Sequence, residues 1–171
     1  SSLPSATPSF THSSFFYSNS FPSTGGYLCD EGASGSFCAI YVVDDILTVL
    51  ITVLSWTSSS AVSLIYYTGI TTSPPDHFSW GYDSNGPTTV LYINGESVGS
   101  VILNSGTSIA AHGGANGIGG ANGGSRFDAI AVTNLDADRR SFDGRIGDVA
   151  RFDGLLTQDE VRSIARQNRT D

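Results

Sequence analysis

FDGRIGDVARFDGLLTQDEVRSIARQNR, Phe142 to Arg169, is the stretch on which the fold of this chain turns. Arg145-Ile146-Gly147-Asp148-Val149-Ala150-Arg151-Phe152 alternates apolar and polar residues. That period of two predicts a half-buried strand, with Ile146, Val149 or Ala150, and Phe152 as inward positions. Leu155-Leu156 then precede Thr157-Gln158-Asp159-Glu160, which reads as a capping box. The Thr157 hydroxyl is placed to accept from the Glu160 N–H, and the Glu160 carboxylate to reach back to the Thr157 N–H. Leu156 and Val161 have the spacing of a hydrophobic staple across that cap. Asp159 and Glu160 in the first turn, and Arg166 and Arg169 near the last, suit the helix dipole. Only about two to three turns fit, so the helix is expected to depend on docking Val161, Ile164 and Ala165 onto a larger surface.

A chain of 171 residues is long enough for one domain with a two-sheet core. With 20 glycines, many Ser and Thr and 39% hydrophobic residues, and almost no helix-periodic runs, it reads as all-β. The net charge is −8, and all eight basic residues are arginines from Arg126 onward. Residues 1–125 carry seven acids and no base, which leaves no footprint for a phosphate backbone and excludes nucleic acid as a partner. The later arginines are diluted by nine acids over 46 residues and read as surface ion pairing. Ser1 to Phe10 has neither a charged n-region nor an apolar h-region, so no secretory signal is expected there. Ser1 is the residue expected after removal of an initiator Met, although a cleaved signal peptide would leave the same start.

Working back along the chain, Phe10 to Tyr17 (FTHSSFFY) is a predicted strand after a Pro/Ser-rich arm. Tyr27 to Asp30 and Phe37 to Val43 form the arms of a predicted hairpin that sets Cys29 opposite Cys38. The two are either a cross-strand disulfide or a pair of buried thiols, and a cytosolic chain favours the thiols. Ile46 to Trp56 (ILTVLITVLSW) is a strand with two largely apolar faces. One face is Ile46, Thr48, Leu50, Thr52, Leu54 and Trp56; the other is Leu47, Val49, Ile51, Val53 and Ser55. An antiparallel strand with one wet face should alternate cleanly, so the second face needs a cover, either a loop of this chain or another subunit. At 11 residues the run is shorter than the about 20 of a membrane-crossing helix, and no membrane partner is expected.

Ala61 to Thr68 is a further strand, and His77 to Asp83 (HFSWGYD) another, with Phe78, Trp80 and Tyr82 on one face. Val90 to Ile93, Asn94-Gly95 and Glu96 to Leu103 make a hairpin with a type I′ turn. Gly113 to Gly124 (GGANGIGGANGG) lacks the Lys and Ser/Thr of a phosphate-binding loop and reads as a tightly turning surface loop. Arg126 to Thr133 is a predicted strand and Asn134 to Arg140 a polar loop.

Three of these segments resemble the laminin-G-like, concanavalin A-like lectin-glucanase jelly rolls. Phe142, Gly144, Ile146, Val149, Arg151-Phe152, Leu156, Thr157, Glu160 and Val161 stand where that family carries its closing strand and helix start. His77 to Asp83 is similar to a family strand, except that Asp76 replaces the usual Trp. LYINGESVGSV, Leu91 to Val101, is similar to the family's Tyr-x-Asn-Gly hairpin, so the resemblance spans roughly residues 10–166. It implies a two-sheet antiparallel jelly-roll sandwich with one short C-terminal helix. The expected division is an N-terminal arm, 1–9, and a jelly-roll domain, 10–171.

Jelly-roll glucanases place two close carboxylates on one strand, one to protonate the leaving oxygen and one to attack. Here Glu31 and Glu96 sit in hairpin turns and Glu160 in the capping box, so no catalytic residue is assigned and no enzyme is expected. His12, His77 and His112 are scattered, with no nucleophile elbow. Laminin-G relatives often hold calcium at a rim, which would fall to Asp136, Asp138 and the Asp83-Asn85 turn. Solvated turns are the plainer reading of those acids, and no other cofactor is expected.

Two functions from different classes remain. The first is a non-enzymatic virion surface subunit, a phage capsid-decoration or fibre protein. It would form a homo-oligomer on a larger protein lattice through Leu47, Val49, Leu50, Ile51 and Val53. The alternative is an extracellular carbohydrate-binding module, with Trp80, Tyr82 and Tyr66 as its aromatic platform for a glycan.

Overall fold

The alternating stretch of the C-terminal segment forms an edge strand, and a five-stranded sheet is built inward from it. In the computed structural model the described residues are 9–19, 26–33, 36–43, 46–55, 58–69, 75–83, 85–86, 88–102, 117–119 and 142–167. In chain order the strands are β1 (Ser9–Ser18), β2 (Gly26–Ala33), β3 (Ser36–Val43), β4 (Ile46–Ser55) and β5 (Ser58–Thr68). They continue as β6 (Asp76–Asp83), β7 (Thr88–Ile93), β8 (Glu96–Ile102), β9 (Gly117–Ile118) and β10 (Gly144–Asp153), before helix α1 (Gln158–Gln167). One sheet has the order β10-β1-β6-β7-β8 and the other β5-β4-β3-β2-β9, with every pairing antiparallel. At one side β5 lies beside β8. At the other, Gly119 donates to Leu28 O at 3.0 Å and accepts from the Phe142 N–H at 2.8 Å, which joins β2 to the entry of β10. The result is an antiparallel jelly-roll sandwich closed by one short helix.

The pairing of β1 with β6 and β7 sorts the first sheet into two faces. Phe10, His12, Ser14 and Phe16 share one face with Phe78, Trp80 and Tyr82 and with Thr89, Leu91 and Ile93. Phe10, Phe16, Phe78, Trp80, Tyr82, Leu91 and Ile93 are all buried, as is Leu28 of β2. Phe10 meets Trp80 edge-on at 5.2 Å, and the Trp80 indole N–H donates to Thr89 Oγ1 at 2.8 Å. Each such side chain stabilises the fold by about 1.5–3 kcal/mol relative to leaving it in water.

The opposite face carries small and polar residues, Thr11, Ser13, Ser79 and Gly81, beside Val90 and Tyr92. Small side chains let a helix approach closely. Val161 is fully buried against Val90 and Tyr92, with Leu156 packed on the same cluster. The Thr157 N–H donates to Glu160 Oε2 at 2.8 Å and the Glu160 N–H to Thr157 Oγ1 at 3.4 Å, so the capping box and the staple both form. Thr11 Oγ1 donates to Gly154 O at 2.9 Å and accepts from the Leu156 N–H at 3.0 Å, fastening the β10–α1 connection to the sheet.

The structure corrects four expectations. In the first hairpin Cys29 pairs with Ile40 and Cys38 with Glu31, two residues out of register. Diagonal neighbours on a sheet lie about 7–8 Å apart, beyond the reach of an unstrained disulfide, and Cys29 is a buried thiol. The Gly-rich repeat supplies β9, paired with Cys29 and Asp30. In β10 one extra residue between Gly147 and Ala150 changes the phase, so Ile146 lies on the core-side face and Ala150 and Phe152 on the helix side. Val149, which the alternation offered as inward, is 45% exposed at that bulge. Finally, β1 runs Ser9–Ser18, one residue longer at each end than the expected strand. The predicted strand at 126–133 and the loop at 134–140 lie outside the described residues.

Candidate functional site

Helix α1 packs on the outer face of the first sheet over β6, β7 and β8. On the β1–β10 side of that face Thr11 and Ser13 are buried, while Phe15 and Tyr17 are half-buried and Arg145 and Gly147 exposed. The bulge shapes this side. Ser13 pairs with Ala150 and Phe15 with Gly147, so Asp148 and Val149 are pushed out, Asp148 with φ of 50°. Ser14 Oγ donates to Gly147 O at 2.8 Å and holds the strand at that point.

Beyond the bulge, Phe15 and Tyr17 project to this face, opposite Gly147 and Arg145 respectively. With Asn19 and Pro75 they line a cleft of about 510 Å³, within the size range of small-molecule sites. A Cβ at 147 would meet nothing within 4 Å, so Gly147 leaves open space opposite Phe15. Across the pair with β6, the Phe15 ring meets that of His77 with centroids 4.8 Å apart. His77 is fully buried. Its Nε2 lies 2.8 Å from Ser13 Oγ, which in turn accepts from Ser79 Oγ at 3.0 Å.

His77 is held from the β7–β8 turn as well. The His77 N–H donates to Asn94 Oδ1 at 2.9 Å, and Asn94 Nδ2 donates to Asp76 Oδ1 at 2.7 Å. Asn94 and Gly95 both adopt positive φ, 52° and 86°, as a type I′ turn requires, so the hairpin turn itself brings the Asn94 amide to the start of β6.

Arg145 supplies the only cation among the lining residues. It is exposed, whereas Arg162 is engaged with Glu96 and Asp159. Asp143, two residues away, has its carboxylate engaged by Asn19 Nδ2 at 3.0 Å. No carboxylate lines the cleft among the described residues.

The site residues expected from sequence fall elsewhere. Trp80 and Tyr82 are 0% exposed and form the core, so neither presents a ring face to a sugar. Their spacing of two was a packing signal, and His12 stacks on Trp80 at 5.7 Å. Tyr66 lies on β5 opposite Thr48, and its side chain is outside the described residues. Leu47, Val49, Leu50, Ile51 and Val53 lie on β4, an interior strand between β3 and β5, and their side chains too are outside the description. Asp83 ends β6 and accepts from the Asn85 N–H at 2.9 Å, the arrangement of a turn. Asp136 and Asp138 are outside the described residues, among which no cluster of three metal-ligating side chains occurs. Phe15, Tyr17 and Arg145 were missed. Their one signal in the sequence is that FFY puts two rings on the face opposite Phe16.

The sequence matches no protein-family model and no curated protein. Solved structures are similar in fold. A heptameric SAP-like pentraxin from Limulus polyphemus is 18% identical with a TM-score of 0.65, over 98% of this chain and 73% of its own. The CBM40 of the Ruminococcus gnavus IT-sialidase, solved with alpha2,3 sialyllactose, is 12% identical at TM-score 0.65, over 94% and 84%. Domains LG4-5 of mouse laminin alpha1 are 15% identical at 0.60, over 84% and 34%. The chain therefore has the concanavalin A-like jelly-roll fold.

Proposed function

We propose that this chain is a non-catalytic carbohydrate-binding module acting on extracellular glycans, and that the β1–β10 cleft is its site. One observation carries this: Phe15 and Tyr17 stand side by side, half-buried, in one cleft with polar groups at the rim. The C–H faces of a pyranose pack against aromatic rings, while its hydroxyls require donors and acceptors such as Asn19 and Arg145. Support comes also from the likeness in fold to a sialyllactose-binding module. Glycoside hydrolysis needs two carboxylates about 5–9.5 Å apart across the bond, and this cleft lines itself without one among the described residues. The expectation of a virion subunit depended on the faces of β4 and draws no support from the structural neighbours.

A glycan array followed by calorimetry tests the proposal. The wild type should bind at least one glycan class, and Phe15→Ala and Tyr17→Ala should each weaken binding tenfold or more while the melting temperature stays within a few degrees. A blank array, or binding indifferent to both substitutions, would refute it.

A further inference from the structure

Taking the cleft to be a glycan site, we infer that its ligand is a sugar bearing a single carboxylate, and that Arg145 selects for it. Arg145 pairs with Tyr17 across the two strands, and Phe15 lies on the diagonal, next to Gly147. Directly opposite side chains are about 4.5–5.5 Å apart at Cβ and diagonal ones about 7–8 Å. The exocyclic carboxyl of an acidic sugar stands one bond off its pyranose ring, and the long Arg145 side chain spans the remaining distance. A ring lying on Phe15 thus leaves its acid group within reach of the Arg145 guanidinium. A guanidinium binds carboxylate through two parallel N–H donors, which fixes orientation as well as charge. Arg162, by contrast, already spends such a fork on Glu96, donating from Nε to Oε1 at 3.0 Å and from its terminal nitrogen to Oε2 at 2.8 Å.

Charge limits the ligand from the other side. The chain carries a net −8, and among the described residues one cation lines the cleft. At physiological salt, interactions beyond about 8 Å are largely screened, so a single acid group next to Arg145 escapes the repulsion of the rest. A polysulfated chain would meet no second cation among the described lining residues. Mono-acidic sugars are favoured over polyanions, and the shared chemistry covers both sialic and uronic acids.

The experiment is titration calorimetry with 3′-sialyllactose, a glucuronic acid disaccharide, the carboxyl-reduced form of each, neutral lactose and heparin. At least one acidic sugar should bind tenfold or more tightly than its reduced form. Arg145→Gln should remove that difference and Arg145→Lys restore part of it. Gly147→Leu, which fills the cleft where a Cβ meets nothing, should abolish binding with the melting temperature kept. Acidic and reduced sugars binding equally, or wild-type affinity in Arg145→Gln, would overturn the selectivity while leaving glycan binding in place. Heparin binding more tightly than either acid sugar would overturn the single-acid inference. Failure of every sugar, neutral or acidic, would sink both proposals.

Discussion

At the residue scale, the chain shows how one position can be read correctly for the fold and still be silent about the site. Gly144 matches the family pattern, and the structure supplies the reason. A Cβ there would run into the Tyr17 carbonyl oxygen and the Phe142 ring. The oxygen belongs to a strand whose register cannot shift without breaking the pairing of Ser18 with Gly144. Gly144→Ala is expected to cost about 1–3 kcal/mol as an overpacked contact. It should also weaken glycan binding, because Tyr17 would be displaced. An unchanged melting curve with unchanged affinity would show that the contact relaxes freely. Phe15 and Phe16 make the opposite case. They are chemically identical neighbours, yet Phe16 is 2% exposed in the core and Phe15 stands half-buried at the cleft.

Helix α1 is the element where local and tertiary terms can be separated. Its start is local, since the Thr157–Glu160 box needs no other strand. Thr157→Ala should destabilise by about 0.5–2 kcal/mol, and for a domain of this size each kcal/mol lowers the melting temperature by about 2–4 °C. Its position is tertiary, set by Val161 and by the fork from Arg162 to Glu96 on β8. Glu96 has its pKa lowered from the ordinary 4.5, chiefly by the hydrogen bond from Arg162, and Glu160 by the backbone N–H of Thr157. Both carboxylates are depressed. Their stabilisation is therefore complete above the ordinary value and is lost as pH falls through the lower folded values. Melting temperature measured from pH 7 to pH 3 should fall below about pH 4.5, and the fall should shrink in a Glu96→Gln, Glu160→Gln double variant. The capping box, the staple and the Asn94-Gly95 turn were legible because each is a pattern within a few residues. The β10 bulge was not, because an extra residue is visible only against the partner strand.

Across the whole molecule, the two ends of the chain build one sheet: β1 lies between β6 and β10, and Thr11 ties to Leu156 across 145 residues. Deleting residues 142–171 would strip β1 of one partner and uncover Val90 and Tyr92. The truncated chain should lose its cooperative thermal transition in calorimetry, and a sharp transition near the wild-type temperature would contradict this account. Such dependence on distant pairings also predicts slow folding, in the range of milliseconds to seconds typical of sandwiches. What the sequence determined by itself was the class of fold, with its antiparallel strands, its I′ turn and its capped last helix. These follow from backbone geometry and hydrogen bonds between residues close in the chain. Tertiary structure alone decided which apolar faces are covered. A period of two assigns residues to two faces but does not say which one another sheet or helix will bury. Trp80 and Tyr82 went to the core because their face of β6 is the one that meets the second sheet, whereas Phe15 and Tyr17 lie on the opposite face, and only the pairing of β1 with β10 brings Arg145 beside them.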